Sequence, residues 1–161
     1  MRGSNVKKLT TLLFYCCLVL CSIAQDGNFY FHPITSNHKL QGNTFSEVFV
    51  DSKGLAWIGS SNAVNVFNGT VVKPYKSEIT EGLIGATYFN SFQEDQEQNI
   101  WFTSYEGIHL FDRATSHFHF FDLKEKDYRA LCIDESNHLW LTSAKDSHFV
   151  HRFNIIIESG L

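Results

Sequence analysis

Three tryptophans, Trp57, Trp101 and Trp140, each follow an aspartate by six residues, and this repeat constrains the fold of the 161-residue chain more than any other feature. The segments 45–60, 89–104 and 128–143 align without gaps on it. In each copy an aromatic residue (Phe45, Phe89, Tyr128) stands six before the aspartate (Asp51, Asp95, Asp134), and an apolar residue (Val48, Phe92, Leu131) three before it. A serine (Ser60, Ser104, Ser143) follows nine after it. The tryptophans are 44 and 39 residues apart, a period shared by propeller blades and helical arrays. Strand signals decide between the two. A short apolar or hydroxyl run follows each tryptophan, a polar Gly/Asn-bearing turn of hairpin length separates it from its aspartate, and 3.6-residue apolar stripes are absent.

A further hairpin strand in each copy ends at Phe67-Asn68, Phe111-Asp112 and Phe153-Asn154, which lie 10, 10 and 13 residues from the tryptophan to the Phe. The three extra residues of the last copy are expected in a loop between Ala144 and His151. Asn68-Gly69 is a tight-turn pair because both residues tolerate positive φ. Val71–Tyr75 and Phe118–Phe121 read as outer strands, with Pro74 suited to an edge. The expectation is an all-β chain of about three propeller blades in an incomplete ring, with blade motifs at 45–75, 89–121 and 128–154. Sheets of this kind cannot bury both faces alone. The tryptophan and the aromatic before the aspartate are expected to wedge between them, which accounts for fifteen phenylalanines.

Residues 1–24 have a different character. Arg2, Lys7 and Lys8 precede a run of 16 uncharged residues from Leu9 to Ala24, with small residues at Ser22 and Ala24. This is the layout of a secretory signal peptide cut between Ala24 and Gln25, and it is shorter than the roughly 20 residues that cross a bilayer. Leu18-Val19-Leu20-Cys21 offers a lipoprotein alternative, although Leu20 is large for that position. Domains are thus expected at 1–24 and 25–161, in an exported protein of the periplasm or cell surface. Loss of the leader moves the formal charge from −4 to −7 and leaves Cys132 as the single cysteine. Nucleic-acid phosphates or anionic membrane would then need a local basic patch, and none is present. An internal disulfide is excluded. At 43% apolar and 19% charged residues, the composition excludes a disordered chain.

The pattern aromatic-x-x-apolar-x-x-Asp-x-x-Gly/Asn-x-x-Trp-apolar-Gly/Thr-Ser, followed by Gly-Ile-x-x-Phe-Asp, resembles the two-component regulator propeller repeat. That repeat belongs to the extracytoplasmic sensor regions of hybrid two-component and related proteins of Bacteroidetes-type bacteria. The likeness runs from about Asn28 to Asn154. Trp101-Phe102-Thr103 with Glu106-Gly107-Ile108 follows the pattern well. Asn62-Ala63-Val64 and Asp146-Ser147-His148 depart from its Gly-Leu pair, so the third blade is expected to be irregular. The resemblance implies further blades, an immunoglobulin-like segment, a membrane span and a kinase or DNA-binding output beyond these residues. It makes the chain an N-terminal fragment of such a sensor, completed by remaining blades or by another copy. Other propeller repeats fit less well: the sialidase-type box sets Asp five before Trp, and neither the Thr-Gly of pyrroloquinoline-quinone blades nor a Trp-Asp pair occurs.

Candidate chemistry is sparse. An aspartate used once per blade reads as a turn-capping acceptor, since catalysis needs asymmetry. His117 and His119 alternate and share a strand face, but no third metal ligand is matched to them, and both read as rim residues. His138, His148 and His151 surround the irregular copy and read as loop histidines. Cys132, between Leu131 and Ile133, reads as buried filler. Asn68-Gly69-Thr70 forms a glycosylation sequon already explained by its turn. With no phosphate loop, zincin helix, nucleophile elbow or kinase signature, no catalytic residue, cofactor or metal is expected. Ligands would meet loops, and Tyr105 and the Ala144–His148 insertion are the candidate positions. The reading is a sensor segment recognising an extracellular small molecule or, as the family implies, a glycan. A stand-alone secreted scaffold is the alternative, and an exported hydrolase or lyase the weaker one.

Overall fold

A computed structural model describes residues 33–34, 39–123, 127–144 and 150–155. The leader, its cut at Ala24-Gln25, His148 and most of the third copy's insertion lie outside the described residues. The architecture below is that of the compact unit Ile34–Leu161.

Among the described residues there are eleven strands and no helix, arranged in three antiparallel sheets with neighbours in chain order. The first sheet holds β1 (Phe45–Val50), β2 (Ala56–Ser60), β3 (Ala63–Phe67) and β4 (Val72–Lys76). The second holds β5 (Asn90–Glu94), β6 (Ile100–Thr103), β7 (Ile108–Asp112) and β8 (His117–Phe121). β9 (Tyr128–Ile133), β10 (His138–Ser143) and β11 (Val150–Asn154) form the third. Each sheet is a meander, the arrangement that hairpin-length turns impose. Pro74 lies on edge strand β4, where its missing N–H costs no ladder bond.

The second sheet is the middle layer, and its sequence shows it. All four residues of β6 are buried, because Ile100 and Phe102 face the first sheet while Trp101 faces the third. One apolar cluster joins Trp57 and Val64 to Phe92, Phe102, Phe111 and Phe118; a second joins Trp101 and Leu110 to Tyr128, Leu131 and Leu141. Aromatic geometry seals the first junction, with Trp57 and Phe111 ring centroids 5.1 Å apart and Phe92 stacked on Phe102 at 5.0 Å. Gly59 has no room for a side chain, since a Cβ there would lie 2.1 Å from the Phe89 carbonyl oxygen.

Neighbouring sheets meet strand to strand along β1, β5 and β9, which makes these the hub strands and β4 and β8 the rim. The Ser46 hydroxyl donates to the Phe89 carbonyl, and the Glu47 carboxylate accepts from the Ser91 N–H. One sheet further on, the Leu131 N–H donates to Ser91 Oγ at 2.7 Å. The three sheets do not close a ring, and this bears on one expected wedge: Phe89 and Tyr128 are buried by the preceding sheet, whereas Phe45, which no sheet precedes among the described residues, is exposed.

Candidate functional site

At one end of the sheets lie the Asp-to-Trp turns. Asp51 Oδ1 accepts from the backbone N–H groups of Lys53 (3.0 Å) and Leu55 (2.9 Å), while Oδ2 accepts from Trp57 Nε1 at 2.9 Å. Asp95 and Asp134 repeat this, accepting from Trp101 Nε1 and Trp140 Nε1, each at 2.8 Å. Both oxygens are therefore engaged in turn and indole, and the six-residue spacing is what lets one carboxylate reach both. Burial pushes the Asp51 carboxyl up, but the bonds from Trp57, Arg113 and Leu55 outweigh it and hold it below its ordinary value. Asp134 is held far below the usual carboxylate range by the His138 backbone N–H and the Trp140 indole. Such carboxylates are fixed anions, unsuited to proton transfer.

Arg113 crosses from the second sheet to the first, with Nη2 at 2.8 Å from Asp51 Oδ2 and 3.6 Å from Glu94 Oε1. Glu94 in turn accepts from the N–H and hydroxyl of Ser52 at 2.7 and 2.8 Å. Beside this staple a cavity of about 250 Å³ opens between the two sheets, walled by Leu55, Trp57, Val66, Tyr75 and Phe111.

The opposite end carries the β2–β3 and β6–β7 turns and the connectors between sheets. Ser60 Oγ donates to the Ala63 carbonyl at 2.8 Å, and Ser104 Oγ accepts from the N–H groups of Glu106 and Gly107. Ser60 and Ser104 thus close the turns after their tryptophan strands. Connectors are tied to these turns: Tyr88 N–H donates to the Ser61 carbonyl, Tyr105 N–H to Thr87 and Asp127 N–H to Tyr105. The Glu106 carboxylate receives the N–H and hydroxyl of Thr87 at 2.7 and 2.9 Å.

On this lattice stands an exposed aromatic shelf. Tyr88 and Tyr105 stack with centroids 4.8 Å apart at 28°, remaining 41% and 38% exposed. The Arg129 guanidinium lies 5.6 Å from the Tyr105 ring centroid and is gripped by Asp127 through Nε (2.7 Å) and Nη2 (3.1 Å). Tyr88 and Asp127 both hold positive φ, 55° and 66°. A bulky residue there costs about 1–2 kcal/mol, so the tertiary lattice holds the shelf in place. Exposed flat rings beside carboxylates and a guanidinium offer stacking and hydrogen bonding to a polar ring with one apolar face.

Tyr105 is thus part of the shelf, whereas Ala144 is exposed and the rest of its insertion lies outside the described residues. His117 and His119 are exposed on β8. His138 and His151, read as loop histidines, lie on strands instead: His138 opens β10 with its Nδ1 3.1 Å from Asp134 Oδ2, and His151 is on β11 with its ring 6.4 Å from that of Phe153. The expectation of a buried Cys132 is corrected as well. Cys132 is exposed, because it pairs with Trp140 on the face of the third sheet that points away from the second. In the second turn the left-handed position is taken by Gln98 (φ 66°), and the buried side chain of Asn99 donates to Asp95 at 3.2 Å and accepts from the Arg113 N–H at 3.0 Å.

A polar column eight after the tryptophan went unread. Asn65 Nδ2 donates to the Gln41 carbonyl at 2.9 Å, and His109 Nδ1 to the Gly82 carbonyl at 2.8 Å, each pinning the connector that leads into its own sheet. The signal was available as one polar residue between apolar neighbours, and the third member, His148, lies outside the described residues. Burial lowers the His109 pKa to about 4, against the Gly82 bond and the charge of Glu106.

No family model matches the sequence, and no curated protein does. Solved structures do match. The chain is similar to the extracellular domain of the putative hybrid two component system BT3049 from B. thetaiotaomicron, at 16% identity and TM-score 0.63 over 76% of this chain and 17% of that one. The corresponding domain of BT4673 from the same organism matches at 21% identity and TM-score 0.58, over 71% and 17%. Virginiamycin B lyase from Staphylococcus aureus matches at 17% identity and TM-score 0.53, over 83% and 47%. These likenesses establish the class, a run of β-propeller blades. The chain spans about a sixth of the length of the two sensor domains.

Proposed function

We propose that the chain is an exported, non-catalytic propeller segment that contributes to sensing an extracellular small molecule or glycan for a two-component system, with the output activity carried elsewhere. The observation that carries the reading is the Tyr88–Tyr105 shelf with Arg129 beside it, raised on loops at the sheet end where successive blades are stitched together. Support comes from the sensor repeat that the sequence resembles and from the extracellular sensor domains that share its fold. The leader-like residues 1–24 fit export. A ligand stacked there touches two adjacent blades through connector residues 87–88 and the start of β9 at 127–129, so occupancy shifts the fit between blades rather than a single side chain.

The experiment is a calorimetric titration of the chain with a panel of soluble oligosaccharides, repeated with Tyr105→Ala. Binding by the native chain and a loss of at least about tenfold in the variant are expected, the range for removing one well-placed ring. Equal binding by both proteins overturns the assignment of the shelf, and no binding to any sugar overturns the glycan reading.

A further inference from the structure

We propose that the cleft between the first and second sheets binds a small aromatic carboxylate. One wall is a cross-strand row on the face that the first sheet turns to the second: Trp57 pairs with Val66, and Val66 with Lys73. The second sheet supplies Phe111, whose ring centroid lies 5.1 Å from that of Trp57 and 6.3 Å from that of Tyr75, and Arg113 just beyond it. These residues line the cavity of about 250 Å³. An apolar cavity of about 150 Å³ is enough to hold benzene, so this one admits a single ring or a fused pair between aromatic walls.

Charge selects among such ligands. The lining carries the cations Lys73 and Arg113 and no carboxylate. Arg113 shares its charge with Asp51 and Glu94 and gives its Nε–H to the Gln98 carbonyl, which leaves Nη1 as an open donor. Lys73 lies 4.8 Å from the Tyr75 ring centroid, and no carboxylate among the described residues pairs with it. A ring held between Trp57, Tyr75 and Phe111 therefore brings its carboxylate toward an unpaired ammonium, beside apolar walls that strengthen the attraction. Neither cation is a demand of the repeat. At the junction of the second and third sheets the matching places hold His119, which pairs with Leu110 as Lys73 does with Val66, and Ile155, which follows Phe153 as Arg113 follows Phe111. The aromatic and aliphatic positions around them are kept, so the pair of cations sets this cleft apart from the architecture.

The cleft lies beside the Arg113 staple and not at the Tyr88–Tyr105 shelf, so its failure leaves the oligosaccharide titration standing. The probe is 2-naphthoate, titrated calorimetrically into the full chain beside its uncharged analogue 2-naphthamide, with the indole N–H signals followed by NMR. Naphthoate should bind about tenfold tighter than naphthamide and shift the Trp57 indole signal, leaving that of Trp140 in place. Lys73→Glu, at an exposed position, should weaken naphthoate by at least about tenfold and leave naphthamide unchanged. Lys76→Glu makes the same charge change on the same strand outside the lining, and should alter neither. If Lys73→Glu disturbs the native indole signals, Lys73→Met removes the charge while keeping a stem over Tyr75, and a smaller loss in the same direction is expected. No binding of naphthoate, equal affinity for acid and amide, an equal loss in the Lys73 and Lys76 variants, or a shift confined to Trp140 overturns the proposal.

Discussion

A single carboxylate in each blade holds a turn and an indole together, so the damage from losing it should scale with how deeply the indole is buried. Trp101 is buried and Trp140 half-buried. Asp95→Ala leaves an indole N–H without its acceptor and opens the turn, at a cost of about 2–3 kcal/mol. Asp134→Ala should cost less, because water reaches its indole; urea melts of the two variants compare them directly. His109 gives a second residue-scale prediction. Its N–H must face the Gly82 carbonyl, so Nε2 is left to accept from Ser104 Oγ at 2.9 Å, and the neutral ring stacks on Phe102 at 5.1 Å. With a folded pKa of about 4 against 6.5 unfolded, the unfolded chain binds the extra proton. Stability is full above pH 6.5 and falls as the pH drops toward 4, by about 3 kcal/mol for this group. His109→Asn, the residue the first sheet uses in that column, should flatten the loss between those pH values. An unchanged slope in pH-dependent urea melts would count against this account.

At the scale of elements, the Asp-to-Trp turn is the best-specified piece of the chain, and the second copy is its imperfect instance. Gln98 occupies the left-handed position that Gly54 and Asn137 occupy in the other copies. Its side chain makes no contact the turn needs, while its carbonyl accepts from Arg113 Nε at 2.6 Å. Gln98→Gly should therefore stabilise by about 0.5–1 kcal/mol, the relief of left-handed strain less the entropy glycine adds to the unfolded chain. A lower thermal midpoint would show that the strain is absent. The turn was legible in the sequence because its chemistry is local: aspartate, turn and tryptophan lie within seven residues. Cys132 misled because strand periodicity gives the face of a residue but not whether another sheet covers that face. Arg113 was illegible for another reason, since its partner Asp51 lies 62 positions away and only the packing of sheets brings them together.

For the whole molecule, layering explains both what is stable and what is exposed. The middle sheet is covered on both faces, while the outer two each show a hub strip that resembles the inner junctions stripped of a neighbour. Stitching is also divided between the two ends. The Asp-turn end is locked by carboxylates whose oxygens are all engaged, with Arg113 and Glu94 as the cross-sheet staple. The connector end presents aromatic surface, strained backbone and charges held in place by their neighbours. The proposed recognition surface lies at that second end, whose groups are both ordered and uncovered. The most direct measurement is amide hydrogen exchange of the chain with and without the tightest-binding oligosaccharide of the panel. Protection concentrated at residues 87–88, 105–106 and 127–129 is the predicted result. Protection confined to the Asp-turn end, at 52–55, 96–99 and 135–138, would contradict the account.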